Sequence, residues 1–396
     1  MNRRRFLGGL GAVTVLVLGG AVWYADEEGA FSQGKGPAFA PWTDWDKPRT
    51  GMLALVRAAI LAASPHNTQP WLFRVHGSQI EVLAATSRNT GGLDPFLREL
   101  HIGMGCALEN MVVASPTAGY IADIELADGA LTLHADTSTP QRIAVVRCTP
   151  ASSPAHPMYA MLPDRHTNRT PYEQRTLPRS FLDELLATPQ SLPNTKLFLF
   201  AAEEQRRSIV SLVSRCNEIV YADKEVREGA MPWERVFSWK NVEQHRDGIT
   251  LEDYGVSTSL AALLYCMPAP VEAAVIKRMA KDAFAAYSKQ LTASPMFGII
   301  AVRDRYSLSQ CLQAGRVWER AHLLATSQSI AARPINEAIE LIDIENAEGH
   351  PRVTEPKLAK LIGDTGWQPT FMFRMGYAAR SASASPRRDL AQVLQQ

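Results

Sequence analysis

Apolar residues recur at three- and four-residue spacing over residues 51–63, 99–118, 179–188, 203–222, 257–290 and 306–331, which predicts helices there, the fifth broken at "MPAP". Short β-rich runs predict strands at "WLFRV" (71–75), "IEVLAA" (80–85), "LTLHA" (131–135), "RIAVVRC" (142–148), "KLFLF" (196–200), "FGIIAV" (297–302) and "TFMFRMGYA" (370–378). Helices and strands mix along the whole chain, so the class is α+β or α/β. One polar cluster interrupts the pattern. "SPHNTQPW", Ser64 to Trp71, follows the quiet helix "LALVRAAILAA" and opens a strand. Ser, Asn and Pro are recruited by ordinary turns, and a helix-to-strand junction is equally a place for a polar ligand.

Two segments repeat. "SPHNTQPWLF" aligns with "SLPNTKLFLF" (Ser191 to Phe200), pairing Ser64 with Ser191, Asn67 with Asn194 and Thr68 with Thr195. Gly105 and Glu109 match Gly315 and Glu319 at one common offset of 210 residues. Asn67 and Gly105 are 38 residues apart, Asn194 and Gly315 121, so the second copy carries an insertion of about 83 residues over about 203–290. A helical insertion of that length reads as a lid. The expected division is an export signal or anchor with linker over residues 1–40, a first half over 41–160 and a second half over 161–396.

Composition changes this picture little. The 396 residues are 46% hydrophobic and 20% charged, enough to bury a sizeable core. Lys+Arg (41) nearly balance Asp+Glu (40), which gives no reason to expect a nucleic-acid partner. The five cysteines are scattered, with no CxxC pair and no histidine at zinc-ligand spacing, so no metal site is expected.

The N-terminus adds an address. "MNRRRFLGGLGAVTVLVLGGAVWYADEE" places a basic start before twenty uncharged residues, Phe6 to Ala25, a run of about 30 Å as a helix and long enough for a bilayer core. Arg3-Arg4-Arg5-Phe6-Leu7 resembles a twin-arginine export signal, which carries folded proteins outward. Trp23 and Tyr24 crowd the cleavage position, so both a periplasmic protein and one anchored to the outer face of the cytoplasmic membrane fit.

Candidate chemistry centres on "DRHTNRTPYEQR" (164–175), where Arg165 and Arg169 flank Thr167 shortly before a helix. Two guanidinium forks and a hydroxyl suit a phosphate dianion, although a solvated basic loop has the same composition. A second basic pair, Arg387 and Arg388, lies in "SPRRDL" near the C-terminus. In this order "AASPHNTQPWLF", "RHTNR", "GRVWERAHLLATSQSIAARPIN" and "FMFRMGYA…SPRRDL" resemble the nitroreductase superfamily of FMN flavoproteins, in its long, twin-arginine-exported branch. The resemblance implies a three-layer α+β fold with two subunit-like halves fused into a monomeric pseudo-dimer. It implies that Arg165, Thr167, Arg169, Arg387 and Arg388 surround the FMN phosphate and pyrimidine edge. Ser64, His66, Asn67 and Gln69 would reach the ribityl chain and ring from the other half, and the stretch Pro334, Ile335 and Asn336 would fall where a backbone N–H approaches flavin N5. No catalytic side chain is nominated, because the cofactor carries the hydride.

Neither an arginine cluster before Asn67 nor a Gln-Pro-Trp after Asn194 is present, so one FMN per chain is expected. Ser329 stands where the family has Gly, and its side chain is expected to crowd the flavin; Arg333 is expected to favour the reduced anion. The implied activity is transfer of hydride or electrons to or from a small activated acceptor (quinone, nitro or related compound) in the cell envelope, with a membrane-associated electron donor. The alternative is a closed-lid protein that sequesters FMN or serves as a redox partner with little turnover, using the insertion and its Phe237 and Trp239.

Overall fold

The computed structural model describes residues 34–133, 135–236, 239–265 and 286–395. The export-signal expectation, Phe237 and the "MPAP" break lie outside these residues. Among the described residues no helix is long and apolar enough to cross a membrane.

The fold is α+β, with two four-stranded antiparallel sheets. The first contains β1 (Trp71–His76), β2 (Gln79–Ala84), β3 (Tyr120–Leu126) and β4 (Gln141–Pro150) in the order β1-β2-β4-β3. The second contains β5 (Thr195–Phe200), β6 (Met296–Val302), β7 (Ala331–Pro334) and β8 (Gln368–Gly376) in the order β5-β6-β8-β7. Strand for strand the two orders are the same. A long helix precedes the third strand of each sheet: α1 (Met52–Ala59) is followed by α2 (Arg98–Ala118) in the first, and α3 (Arg179–Ala187) by α4 (Leu308–Ser327) in the second. One apolar cluster runs through both halves, from Trp71 and Leu100 to Trp318 and Phe373.

Helices α2 and α4 cross at the paired glycines. A Cβ on Gly105 would lie 2.0 Å from Leu312 O and 2.9 Å from Gly315 Cα; one on Gly315 would lie 1.9 Å from Ile102 O and 2.9 Å from Gly105 Cα. The crossing therefore admits no side chain at either position. Cys106 Sγ donates to Gly315 O there at 3.3 Å.

The two halves differ between their first two strands. β1 and β2 are joined by Gly77 and Ser78, whereas residues 201–295 separate β5 from β6. That segment contains α5 (Glu203–Ala222), α6 (Lys224–Ala230), α7 (Trp239–His245) and α8 (Thr258–Tyr265). It folds over the first half. A Cβ on Gly229 would meet Thr90 O at 2.4 Å, Trp233 Nε1 donates to Asn89 O at 2.8 Å, and Arg88 pairs with Asp247.

Several expectations are corrected. Among the described residues of 131–135 there is no strand: Ala130 makes a single bridge to Ser307, and Leu131 N donates to Tyr306 O at 2.6 Å. β3 and β7 were not expected, because residue 120 follows the α2 helix directly and the helix expected to reach 331 ends at Ser327. Ser329 is exposed and lines neither cavity described below. Its φ of 55° explains why glycine suits that turn, without any crowding of a ligand. Two further helices of eight residues or more, α9 (Glu337–Ala347) and α10 (Glu355–Ile362), lie in the second half, and a short one (Leu390–Val393) follows near the C-terminus.

Gly105→Ala or Gly315→Ala is expected to cost more than about 3 kcal/mol, read as a lower denaturation midpoint in urea, because the obstacle at each is backbone.

Candidate functional site

The strand-opening loop at Ser64 is strained. His66, Asn67 and Gln69 have φ of 46°, 54° and 49°, each costing on the order of 1–3 kcal/mol for a residue with a side chain. Asn194, the repeat partner of Asn67, shares this conformation at φ 58°.

Contacts from distant elements hold the loop. Asn67 Nδ2 donates to Gly248 O (3.0 Å) and Pro386 O (2.9 Å), and Gln69 Nε2 donates to Arg246 O (2.8 Å). Arg387 Nη1 donates to Asn67 Oδ1 (2.7 Å), and the Arg388 N–H to Gln69 Oε1 (2.8 Å). Ser64 Oγ closes the loop on itself by accepting from Gln69 N at 3.0 Å.

Two adjoining cavities open beside this loop, with room for the centres of water-sized molecules over about 160 Å³ and 40 Å³. Ser64, Thr167 and Arg169 line both. His66, Pro334 and Asn336 line the larger; Asn67, Arg165 and Arg387 line the smaller. The first-half loop, the "RHTNR" segment and the C-terminal arginine thus meet around one space. Gln69, Ile335 and Arg388 line neither. Gln69 and Arg388 bind each other behind the loop, and Ile335 is fully buried with its N–H donated to Met372 O at 2.9 Å. Pro334 has no N–H, so a backbone donor to a ligand here must come from Asn336 or beyond.

The smaller cavity is strongly cationic. Arg165 lies with Nε 2.9 Å from Glu319 Oε1 and donates from Nη2 to Leu61 O at 2.8 Å, so its charge is already engaged. Among the described residues no carboxylate contacts Arg387: its Nη2 reaches Ala62 O at 3.2 Å and its Nε has no partner there. Burial, then the neighbouring Arg165, push Arg387 down to about 9. Arg169 donates to Asp253 O at 3.1 Å, and burial followed by Arg333 lowers its pKa too.

The neighbouring imidazoles answer this field by staying neutral. His166 falls to about 3 through burial, then Arg165 and Arg387, and His66 to about 4 through burial, then Arg169. His322 Nδ1 accepts from Arg165 Nη1 at 3.3 Å while Nε2 donates to His166 O at 3.2 Å, which fixes a neutral tautomer.

The larger cavity has a different far wall. Glu99, Glu337 and Glu340 line it with Tyr221, Tyr254 and Trp318. None of these was picked out from the sequence. Acidic residues on helices read as solvated, and only their apolar neighbours in "EAIELIDIENA" signal burial. The insertion contributes Ile249 to both cavities and Tyr254, whose hydroxyl donates to Glu234 Oε1 at 2.7 Å, to the larger. Arg333 also lines the larger cavity, with Nη1 donating to Gln290 Oε1 at 2.8 Å and the guanidinium 4.6 Å from the Tyr287 ring centre. Among the described residues no group of histidine, cysteine or carboxylate side chains is placed to hold a metal ion.

Comparison with known proteins gives the following. No family model matches the chain. It is similar to a Mycobacterium tuberculosis protein described as a "Putative NAD(P)H nitroreductase", 26% identical over 372 residues that cover 91% of this chain and 95% of that protein. Among solved structures it is similar to an FMN and NADPH-dependent nitroreductase from Sphigopyxis sp. strain HMH, at 14% identity and a TM-score of 0.38, covering 60% of this chain and 98% of that one. It is also similar to a nitroreductase with bound FMN from Desulfitobacterium hafniense DCB-2, at 10% identity and a TM-score of 0.36, covering 60% and 97%.

In the folded protein the His66 pKa lies below its unfolded value, so the stability it contributes is fully present above about pH 6.5 and is lost as pH falls through about 4. Titration of the ring by NMR is expected to show a neutral His66 down to about pH 4, and Arg169→Ala to raise that midpoint.

Proposed function

We propose that the chain is a nitroreductase-like, FMN-dependent oxidoreductase that binds one FMN and acts on a small activated acceptor, working in the cell envelope after twin-arginine export. The observation that carries this reading is the convergence of Arg169, Arg387 and Thr167 with the strained Ser64 loop on adjoining cavities, where burial, and then a neighbouring guanidinium (Arg333 beside Arg169, Arg165 beside Arg387), lowers the pKa of each arginine. Cations forced together in this way, one with an unpartnered Nε, fit a phosphate dianion. The 26% identity to a protein described as a nitroreductase, over nearly the whole of both chains, agrees with it.

Arg169, Arg387 and Thr167 would hold the phosphate, with Arg165 steadied on Glu319 behind them. Ser64, His66 and Asn67 would orient the sugar-like chain, and Trp318 and Phe371 would supply the apolar side of the larger cavity. FMN, when bound, supplies the hydride or electron pair. His66, held neutral, adds a polar contact without adding to the cationic charge. Tyr254 and Ile249 of the insertion cover the space, which is the feature a sequestering or redox-partner role would use.

The purified protein is expected to be yellow and to release FMN on denaturation, and colourless protein would end the reading. Arg169→Ala is expected to weaken FMN binding by roughly 10- to 100-fold in fluorescence titration, the loss of a charge-assisted contact. Reduction by NADH, NADPH and dithionite separates turnover from sequestration: reduction by dithionite alone favours the closed-lid role. Arg333→Ala is expected to lower the flavin reduction potential by removing a cation from the cavity wall; an unchanged potential removes Arg333 from that role.

A further inference from the structure

The cavity wall opposite the arginines holds more carboxyl groups than nearby cations can balance. Arg98 is fully buried among them, with Nε 2.6 Å from Asp343 Oδ2, Nη1 donating to Thr370 O at 2.6 Å and Nη2 to Glu99 Oε1 at 3.2 Å. Asp343 therefore carries the matching negative charge. Asp94 accepts from the N–H groups of Glu99 (3.0 Å) and Leu100 (2.9 Å). Glu337 faces Tyr287 and Arg333. Glu340 is left without a hydrogen bond to any described residue: it is 7% exposed, lines the larger cavity, and its Oε2 is enclosed with no partner.

The groups that face Glu340 come from the neighbouring elements: Glu337 one turn before it on α9, Arg98 and Glu99 at the start of α2 with Asp94 in the turn before it, and Tyr221 and Cys216 from α5. Glu99, Glu337 and Asp94 disfavour a charge on Glu340, and Arg98, which favours one, is already matched by Asp343. Burial, then Glu99 and Glu337, raise its pKa well above the ordinary carboxylate value. A neutral carboxyl at a cavity wall is a hydrogen-bond donor.

We propose that Glu340 is a specificity-determining residue: its protonated carboxyl donates a hydrogen bond to the oxygen of an uncharged acceptor molecule, such as a nitro or quinone oxygen, and this wall rejects anionic acceptors. The inference rests on the proposed oxidoreductase reading for what the acceptor is. A carboxylate-bearing compound brought to the same place would give up its water shell beside Glu99, Glu337 and Glu340, where the buried cation Arg98 is already matched by Asp343, a cost that an uncharged oxygen does not bear.

The test uses the purified full chain and isothermal titration calorimetry with two probes of similar shape, 4-nitrobenzyl alcohol and 4-nitrobenzoate. At pH 6 the alcohol is expected to bind at least about tenfold tighter. Its affinity is expected to fall once pH rises through the raised pKa of Glu340, because the ionised carboxylate accepts rather than donates. Glu340→Gln, which keeps a donor, is expected to retain most of the affinity and to lose the pH dependence; Glu340→Leu is expected to lose about fivefold, as for one hydrogen bond. Equal binding of the two probes, a flat pH profile for the unaltered protein, or undiminished affinity in a folded Glu340→Leu protein would each overturn the proposal. The titration needs no flavin turnover, so its failure in yellow protein sinks only the role of Glu340, whereas colourless protein sinks the oxidoreductase reading.

Discussion

The close crossing of α2 and α4 at Gly105 and Gly315 is the constraint on which the rest is built. With backbone against backbone at 2.9 Å for any added Cβ, the two halves are locked in a fixed relation that packing of larger side chains would blur. Four residues on, Glu109 and Glu319 occupy equivalent positions, and each is met by arginine. Glu319 receives Arg165 from the "RHTNR" segment, which borders the smaller cavity. Glu109 receives Arg316 and Arg320 from α4 itself, at 2.8 and 2.6 Å, and Arg320 also reaches Thr188 O, Gln190 O and Ser191 Oγ. The second copy of the loop is thus closed by the protein's own guanidinium where the first copy faces a cavity.

The fold was legible where local pattern and tertiary role agree. β1, β2, β4, β5, β6 and β8 and the long helices carry periodicities that match their burial, and the glycine pair was found from spacing alone. β3 alternates half-buried and exposed positions throughout, so no strong apolar run announces it, and it begins directly after the α2 helix. β7 is four residues with Arg333 and Pro334 in it, too short and too polar to register. α9 was missed for the opposite reason: Glu337, Glu340, Asp343 and Glu345 are buried, so the polar face that would reveal amphipathicity points inward.

The site divides along the same line. Residues in contiguous polar motifs, Ser64, His66, Asn67, Arg165, Thr167 and Arg169, are found on the cavities, because a cluster of turn-forming and cationic residues in one short segment is a local signal. Gln69 and Arg388 belong to the same motifs but serve each other, and nothing in a one-dimensional pattern separates a side chain aimed at a ligand from one aimed at its support. The carboxyl wall was illegible, since Glu99 and Glu340 are 241 positions apart in the chain and meet only when α2 and α9 pack on one cavity.

The insertion has a physical task beyond cover. Three left-handed residues in four positions store several kcal/mol in the Ser64 loop, by the usual cost of about 1–3 kcal/mol apiece. Such a loop relaxes unless other groups hold it, and net hydrogen bonds of about 1 kcal/mol each are the available counterweight. Gly248 and Arg246 of the insertion provide two acceptors for Asn67 and Gln69, Asn67 O accepts from Gly248 N at 3.2 Å, and Pro386, Arg387 and Arg388 of the C-terminal segment complete the set. The loop conformation, the insertion and the C-terminal arginines are therefore one device. The strain in the first half persists because the segment between β5 and β6, and the last residues of the chain, close on it together.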